Sequence, residues 1–321
     1  MSLEDKVIIE VGINENKLKS VNPHIPYSPD EIAAEARRCM DAGASVIHYH
    51  ARDDNSPIGL SSDPALNIEI QRAVTEGTSL LAYPTYGDIV TSVDGHYEFC
   101  SPAEKRFGHI VEMVKQDVRM EIGPIDLGAF YDVNAARTEV SMPGQIVPGW
   151  HLVRGHQINN GYDHVWLTQF CEQHGLQKTF AAPDTMSLLN LRNLIDMGLV
   201  PEEKISLKLF FFGGAALATR LNGMLNLTKE LFTDKQVRWM PVVQEADGFP
   251  VAAVALGQGA DVRTGLGDYA YAKEGLPTNA ELVERMVKLA SAFGREPASP
   301  EETRQIKGLK QLSEKNSVLV G

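Results

Sequence analysis

Short apolar runs alternate along this chain with longer stretches in which apolar residues recur at helical spacing. Because parallel strands need a crossover helix between them, this alternation predicts repeated βα units in an α/β fold. Eight units can be counted, and their strands are predicted at residues 7–13, 45–50, 79–84, 118–123, 178–183, 205–211, 237–243 and 260–266.

The first helix has the clearest boundaries. Ser28 is a typical N-cap residue, Pro29 suits the first helical position, and Glu31 completes a capping box with Ser28. Gly43 stands where the helical pattern stops, and glycine is the usual left-handed residue at a helix end. We therefore predict a helix between these two points.

Two regions depart from the βα repeat. The stretch from about 131 to 160 is rich in Gly, Pro and Asn, which predicts a long insertion after strand 4 without regular elements. Ser299 and Pro300 predict the start of a peripheral C-terminal helix. Because 321 residues with 43% hydrophobic content suffice for one large core, we expect a single domain over residues 1–321.

Eight βα units are compatible with a closed barrel or with an open, doubly wound sheet. Nothing between residues 7 and 30 resembles a glycine-rich dinucleotide-binding turn, so the nucleotide-binding form of the open sheet loses support. We therefore expect a (β/α)8 TIM barrel, whose active site would lie at the carboxyl ends of the strands.

Composition narrows the class of protein. No run approaches the roughly 20 apolar residues of a membrane span, and MSLEDKV lacks the features of a signal peptide, so we expect a soluble, cytoplasmic protein. Cys39, Cys100 and Cys171 are odd in number and far apart, which argues against disulfides and a thiolate zinc site. The net charge of −12 opposes nucleic-acid binding, so the expected partner is a small molecule.

His48 and His50 close the second predicted strand at a spacing of two. Alternation along a strand directs both imidazoles to one face, where they could share a metal ion such as zinc. Hydrogen bonding of one or both histidines within the core is the alternative, because this spacing alone is a weak signal.

Three segments resemble the beta-keto acid cleavage enzyme family. NPHIPYSPDEIAAEARRCMDAGASVIHYHARDD (22–54) is close to the family pattern NPxxPxTPEEIAxEAxxAxxAGAxxxHxHxRD. VRTGLGDY (262–269) resembles the family's strand-8 motif VRxGxEDN, and AELVERMVKLASAFGREPASPEETRQI is similar to its closing helix. The resemblance covers most of the chain apart from the insertion near 131–160.

The resemblance implies a zinc-dependent (β/α)8 barrel that reacts a β-keto acid with acetyl-CoA, giving acetoacetate and a new CoA ester. It implies Zn²⁺ on His48 and His50, catalytic roles for Arg263 and Asp268, and a homo-oligomer, often a tetramer. Arg263 could bind the substrate carboxylate or orient Asp268. We expect Asp268 to be the general base; a capping role in the loop is the alternative.

One departure from the family pattern concerns the metal. Gly267 stands where the family carries its glutamate zinc ligand. We expect Glu10 to replace it, because Glu10 interrupts an apolar strand that would lie between strands 8 and 2 of a barrel. The alternative for Glu10 is an ion pair with an interior Arg or Lys, and Glu245 is a second candidate ligand.

Other departures concern the substrate pocket. AYPTYG (82–87) replaces a segment ending in TTGG or STGG, GPIDLG (123–128) carries an acid at the family's asparagine position, and INEN (13–16) stands where the family carries xTGA. Glu15 and Asn16 could bind a cationic group of the substrate, although a solvated loop is the alternative. Candidate substrate-binding residues are therefore Glu15, Asn16, Thr85, Tyr86 and Asp126.

Two other functions are compatible with these residues. The first is another metal-dependent barrel enzyme, such as a class II aldolase or a hydrolase, that uses the same histidines. The second is a non-catalytic barrel that lost its metal together with the glutamate at position 267. A requirement for acetyl-CoA distinguishes the first from a cleavage enzyme, and metal content distinguishes the second.

Overall fold

Eight parallel strands form the centre of the protein. The computed structural model describes residues 2–53, 60–85, 90–93, 96–99, 103–131, 134–137, 145–147, 150–153, 156–213, 217–233, 236–309 and 311. The eight strands are β1 (Ile9–Gly12), β2 (Val46–Tyr49), β3 (Leu81–Pro84), β4 (Ile122–Asp126), β5 (Gln177–Ala182), β6 (Ile205–Phe212), β7 (Val237–Gln244) and β8 (Val262–Thr264).

Hydrogen bonding arranges these strands as two parallel sheets of four, in the orders β8-β1-β2-β3 and β4-β5-β6-β7. Strand β3 also contacts β4, and β7 contacts β8, so the two sheets close on each other. Next to the second contact, the amide of Asp261 donates to the carbonyl of Trp239 at 2.9 Å. The predicted (β/α)8 barrel is confirmed.

Each predicted strand overlaps an observed one, but β4 begins at Ile122, four residues after the predicted start at residue 118. The sequence Gly123-Pro124 resembles a turn, yet both residues lie inside β4. Leu127 donates its amide to Ala181 in β5, so by alternation the position of Pro124 faces β3. No ladder joins β3 and β4 within the described residues, and the missing N–H of proline is tolerated there.

Nine helices surround the described barrel. They are α1 (Pro29–Ala42), α2 (Pro64–Gly77), α3 (Gly108–Lys115), α4 (Gly161–Gln173), α5 (Thr185–Asp196), α6 (Leu217–Leu231), α7 (Phe249–Leu256), α8 (Asn279–Ala292) and α9 (Pro300–Lys307), with single turns at Leu3–Asp5 and Ala103–Arg106. None of the described helices has both the length and the apolar content that a membrane span requires.

The predicted ends of α1 are observed. The Ser28 hydroxyl accepts the Glu31 amide at 3.2 Å, and the Glu31 carboxylate accepts the Ser28 amide at 3.1 Å. Gly43 ends the helix with φ 115°, a left-handed conformation that side chains disfavour. The same capping box, formed by Ser299 and Glu302, starts α9.

The prediction that the insertion lacks regular elements was wrong. Between β4 and α4 the structure has five short strands, Ala129–Tyr131, Asn134–Arg137, Gln145–Val147, Trp150–Val153 and His156–Ile158, paired antiparallel. A further hairpin, Val90–Val93 with His96–Phe99, follows β3. These strands are only three or four residues long, so the Gly and Pro residues of this region can stand between them in the sequence without excluding strands.

The barrel interior has an apolar layer and a charged layer. Ile8, Val46, Leu81 and Ile122 are buried together near the amino ends of the strands, where Ala298 covers them. Two residues further toward the carboxyl ends of the strands, the inward-facing side chains are mostly charged or polar. They are Glu10, His48, Tyr83, Lys208 and Arg263, and all are buried. The sequence thus places its chemistry toward the carboxyl end.

An internal ion pair attaches α9 to the barrel. Arg304 is fully buried, and its Nε and one terminal nitrogen donate to the two oxygens of Glu121, at 2.9 and 2.8 Å. Such a pair costs little to replace entirely by apolar groups but much to break, because the remaining charge is buried without its partner.

We expect Arg304→Met to lower the free energy of unfolding by about 3–5 kcal/mol, because the buried Glu121 carboxylate would lose both hydrogen bonds from Arg304. The double variant Arg304→Met with Glu121→Met should recover most of this loss. Urea unfolding at neutral pH measures both, with Arg192→Met at an exposed ion pair as control. A loss no larger than that of the control would contradict the assignment.

Candidate active site at the carboxyl end of the barrel

His48 and His50 lie side by side at the carboxyl end of β2. Their Nε2 atoms are 3.2 Å apart, and the two ring planes are nearly perpendicular at 84°. Asn14 fixes the chain here, because its side chain accepts the His50 amide and donates to the His50 carbonyl, both at 2.9 Å. The ring of His48 also stacks on Tyr83. Both imidazoles therefore converge on one point, as strand alternation predicts.

Glu15 completes this group of side chains. It lies in the loop after β1, is 6% exposed, and places one carboxylate oxygen against His50 Nε2 and the other 3.4 Å from His48 Nε2. Ligands about 2.0–2.1 Å from a tetrahedral zinc ion are separated by about 3.3 Å. The separations of 3.2 and 3.4 Å between these donor atoms match that value. The three residues could therefore hold a metal ion.

The protonation states of the group also suit a cation. Burial lowers the pKa of His48 well below its ordinary value, and nearby Arg263 acts in the same direction. Burial opposes ionisation of Glu15, but His50, His48 and Arg263 outweigh it and keep the pKa of Glu15 well below its ordinary range. A neutral imidazole and an ionised carboxylate are the forms that bind metals.

Glu10, which the sequence suggested as the third ligand, is engaged elsewhere. Its Oε1 accepts hydrogen bonds from Lys208 Nζ at 2.6 Å, Arg263 at 2.9 Å and the Tyr83 hydroxyl at 2.8 Å. The structure thus corresponds to the alternative interpretation, an ion pair with interior cations. Glu15 replaces Glu10 as the carboxylate beside the two histidines.

Arg263 and Asp268 form a buried pair next to this group. Nε and a terminal nitrogen of Arg263 donate to the Asp268 carboxylate, at 3.0 and 2.7 Å. The same guanidinium also contacts Glu10 and Glu15. Of the two roles considered for Arg263, this geometry fits the orientation of Asp268, because its N–H groups are directed at protein carboxylates.

Burial raises the pKa of Asp268, and the carboxylates of Glu15 and Glu10 add to the rise while Arg263 opposes it. This direction is useful in a general base, since a higher pKa makes the carboxylate a better proton acceptor. In this network three buried carboxylates face the two cations Arg263 and Lys208. The excess of negative charge favours a bound cation at Glu15.

Lys208 and Tyr83 are site residues that the sequence analysis did not identify. Lys208 Nζ contacts both Glu10 and the Tyr83 hydroxyl, and burial lowers the pKa of this lysine. The argument that singled out Glu10 applies equally to Lys208, which interrupts the apolar run ISLKLFFF of β6. Tyr83 gave no comparable signal, because aromatic residues are common in strands.

None of the other predicted residues that the structure describes belongs to the group of Glu15, His48 and His50. Thr85 follows β3, and its carbonyl accepts His109 Nε2 at 2.7 Å. Asp126 ends β4, where its carbonyl accepts the Asn159 side chain at 2.9 Å. Asn16 is exposed, and Tyr86 lies outside the described residues. Glu245, the second candidate ligand, is half exposed and paired with Lys17 at the rim rather than with the histidines.

Comparison with known proteins identifies the family of the chain. The family model of the beta-keto acid cleavage enzyme matches residues 6–309. A 3-keto-5-aminohexanoate cleavage enzyme of Acetoanaerobium sticklandii is 25% identical over 315 residues, which cover 95% of this chain and 99% of that protein. A 3-dehydrocarnitine:acetyl-CoA trimethylamine transferase of Rhizobium meliloti is 23% identical over 304 residues, 89% of this chain and 90% of its own.

Among solved structures, the apo structure of ObcA superposes with a TM-score of 0.64 at 16% sequence identity. The match covers 89% of this chain and 66% of that chain. At this identity the likeness supports the barrel fold and carries no argument about activity.

We expect Glu10→Gln to destabilise the protein in a pH-dependent way. Burial opposes ionisation of Glu10, but Lys208 and Arg263 lower its pKa to about 2. A folded-state pKa below the ordinary value stabilises the protein above pH 4.5, by about 3 kcal/mol, and this contribution is lost as pH falls toward 2.

Urea unfolding between pH 7 and pH 3 tests this expectation. The difference in free energy between wild type and Glu10→Gln should be largest at pH 7 and shrink below pH 4.5. Affinity for an added divalent metal ion, measured by chelator competition, should change far less than it does when a histidine of the pair is removed. A pH-independent difference would contradict the ion-pair assignment of Glu10.

Proposed function

The chain belongs to the beta-keto acid cleavage enzyme family, and from this premise we propose that it cleaves a small β-keto acid with acetyl-CoA. The products would be acetoacetate and a new CoA ester. The bond between the keto carbon and the methylene carbon breaks, and the acetyl carbon of acetyl-CoA takes the place of the keto carbon. The names of the two relatives support this reaction class, because one is a 3-keto-5-aminohexanoate cleavage enzyme and the other is a 3-dehydrocarnitine:acetyl-CoA trimethylamine transferase.

One observation carries the proposal: a potential metal group, Glu15 with His48 and His50, lies beside a buried carboxylate of raised pKa, Asp268. Glu15 contacts both histidines, and Arg263 contacts both Glu15 and Asp268. All of these side chains stand at the carboxyl end of the barrel strands or in the loops that follow, which is where barrel enzymes carry their chemistry.

We propose zinc as the metal, with His48, His50 and Glu15 as its protein ligands. Three protein donors with nitrogen and oxygen atoms are typical of catalytic zinc sites, which keep one position open for substrate. A bound divalent cation would supply Lewis acidity, polarising the keto oxygen of the substrate and making its neighbouring C–H more acidic.

The residues of the chain perform the remaining tasks. Asp268 takes a proton from the methylene carbon between the keto and carboxylate groups, and the resulting enolate attacks the acetyl thioester and displaces CoA thiolate. The thiolate adds to the original keto carbon, and the bond from that carbon to the former methylene carbon breaks, which releases the new CoA ester. The proton held by Asp268 returns to the carbanion and gives acetoacetate. Arg263 holds Asp268 in one orientation through paired hydrogen bonds. Arg263 in turn donates a hydrogen bond to Glu10, and Glu10 is held by Lys208, so the base is positioned through Arg263 by groups of the barrel interior.

A screen of β-keto acids with acetyl-CoA tests the proposal, scored by mass spectrometry for acetoacetate and for the new CoA ester. We expect one or more acids to react, the reaction to stop when a chelator removes the metal, and added zinc to restore it. His48→Ala should lose both bound zinc and turnover, whereas removal of the exposed imidazole in His174→Ala should change neither.

Product formation without acetyl-CoA would instead indicate an aldolase or a hydrolase on the same barrel. Purified protein that holds far less than one zinc ion per chain, and takes up none on addition, would indicate a barrel that only binds its ligand. Either result would overturn the proposal.

We expect Asp268→Asn to keep bound metal and to lower kcat by about 10²–10⁴-fold, because an amide cannot accept the proton. In the wild type, kcat/KM should fall on the acidic side at a pH above the ordinary aspartate range, since burial raises the pKa of Asp268.

The matched control is Asp261→Asn. Asp261 is also a buried aspartate paired with an arginine, Arg238, but it lies at the opposite end of β8. This control should lose stability without losing turnover. Activity of Asp268→Asn within a few-fold of wild type would exclude Asp268 as the base.

A further inference from the structure

We infer that Glu15 and Gly267 are a reciprocal pair: this chain takes its metal-binding carboxylate from the loop after β1, and it can do so only because position 267 has no side chain. The inference deepens the proposed function and rests on it, since it concerns the metal ligands of the same site.

The space around Gly267 is occupied by Glu15. A Cβ atom added to Gly267 would lie 2.5 Å from Glu15 Cγ, which is too short for carbon atoms of two residues that are not covalently linked. The Gly12 carbonyl oxygen and the Glu15 amide nitrogen would lie at 2.8 and 2.9 Å. Any side chain at position 267 therefore excludes Glu15 from its present place beside the two histidines.

The backbone at Glu15 points the same way. Glu15 has φ 42°, in the left-handed region that glycine adopts freely and side chains disfavour. Strain of this kind persists where the surrounding structure uses the residue, as at ligand-binding sites. Here the strained residue directs a carboxylate at two imidazole nitrogens while it also contacts Arg263.

The loops of the two positions are held together. Gly267 donates its amide to the Gly12 carbonyl at 2.9 Å, so the loop after β8 lies against the start of the loop that carries Glu15. A carboxylate from either loop would approach the imidazoles from the same side of the barrel. The family pattern described above has glycine at the position of Glu15 and glutamate at the position of Gly267, so both positions differ and in opposite directions.

Four variants test the pair, and bound zinc is the readout, measured by chelator competition and by the rise in melting temperature on zinc addition. We expect Glu15→Gly to weaken zinc binding by about 100-fold or more. This variant removes a ligand, and loss of a residue that only hydrogen-bonds to a ligand already weakens binding by about 10- to 100-fold. Gly267→Ala should weaken it as well, although alanine removes no ligand, because its methyl group displaces Glu15.

The double variant Glu15→Gly with Gly267→Glu should recover zinc affinity to within about tenfold of wild type. Glycine at position 15 removes the clash with the Glu15 side chain and allows the loop backbone to move away from the new Cβ atom. Asp117→Gly is the matched control. Asp117 is exposed, with φ 50°, at the far end of α3. This control relieves the same kind of backbone strain and should leave zinc affinity unchanged.

Three results would overturn the inference. The first two are wild-type zinc affinity in Glu15→Gly or in Gly267→Ala. The third is a double variant that folds, by circular dichroism, and binds zinc no better than Glu15→Gly. Acetoacetate formation is scored separately. If the zinc pattern holds and no β-keto acid reacts, the proposed reaction fails while the reciprocal pair stands.

Discussion

The buried guanidinium of Arg263 is the interaction on which the rest of the site depends. It is surrounded by three carboxylates, Glu10, Glu15 and Asp268, which belong to different parts of the chain. Burial alone would disfavour this cation, but the three anions outweigh burial and raise its pKa, so it stays charged. A fixed charge of this kind sets where each carboxylate can lie, because every one of them would be costly to bury without it.

Consequences of that arrangement differ among the three carboxylates. Glu10 is also neutralised by Lys208, which contacts the same oxygen as Arg263, and it lies in the barrel interior. Asp268 receives two hydrogen bonds in a fixed orientation and keeps a raised pKa. Glu15 shares Arg263 with the histidines and so places its charge where a metal can use it. One arginine therefore contacts a carboxylate of the barrel interior, the proposed general base and the proposed metal ligand.

Much of the fold follows from the sequence, because apolar periodicity and capping residues are local properties. The boundaries of α1 are determined by Ser28, Glu31 and Gly43 alone. The start of β4 is different, because Pro124 resembles a turn residue in the sequence. Proline is tolerated there since, among the described residues, no ladder joins β4 to β3. The short strands between β4 and α4 likewise depend on pairing between segments, which no local pattern records.

Within the site, strand alternation was sufficient to bring His48 and His50 together. The sequence could also say that a buried Glu10 needs a partner, but both a metal and a cation would satisfy that need. Choosing between them requires knowing that Lys208, nearly 200 residues away, reaches the same oxygen at 2.6 Å. The sequence did not indicate Glu15 as a metal ligand for a related reason, since a glutamate in a loop is usually solvated.

The division of the barrel into two four-stranded sheets also divides the charged network. The potential ligands, Arg263 and Asp268 all belong to β8, β1, β2 and their loops, whereas Lys208 comes from β6 in the other sheet. Lys208 donates to Glu10, which also accepts a hydrogen bond from Arg263. A buried ion pair across the barrel interior therefore links the two sheets, in addition to the strand contacts at their edges.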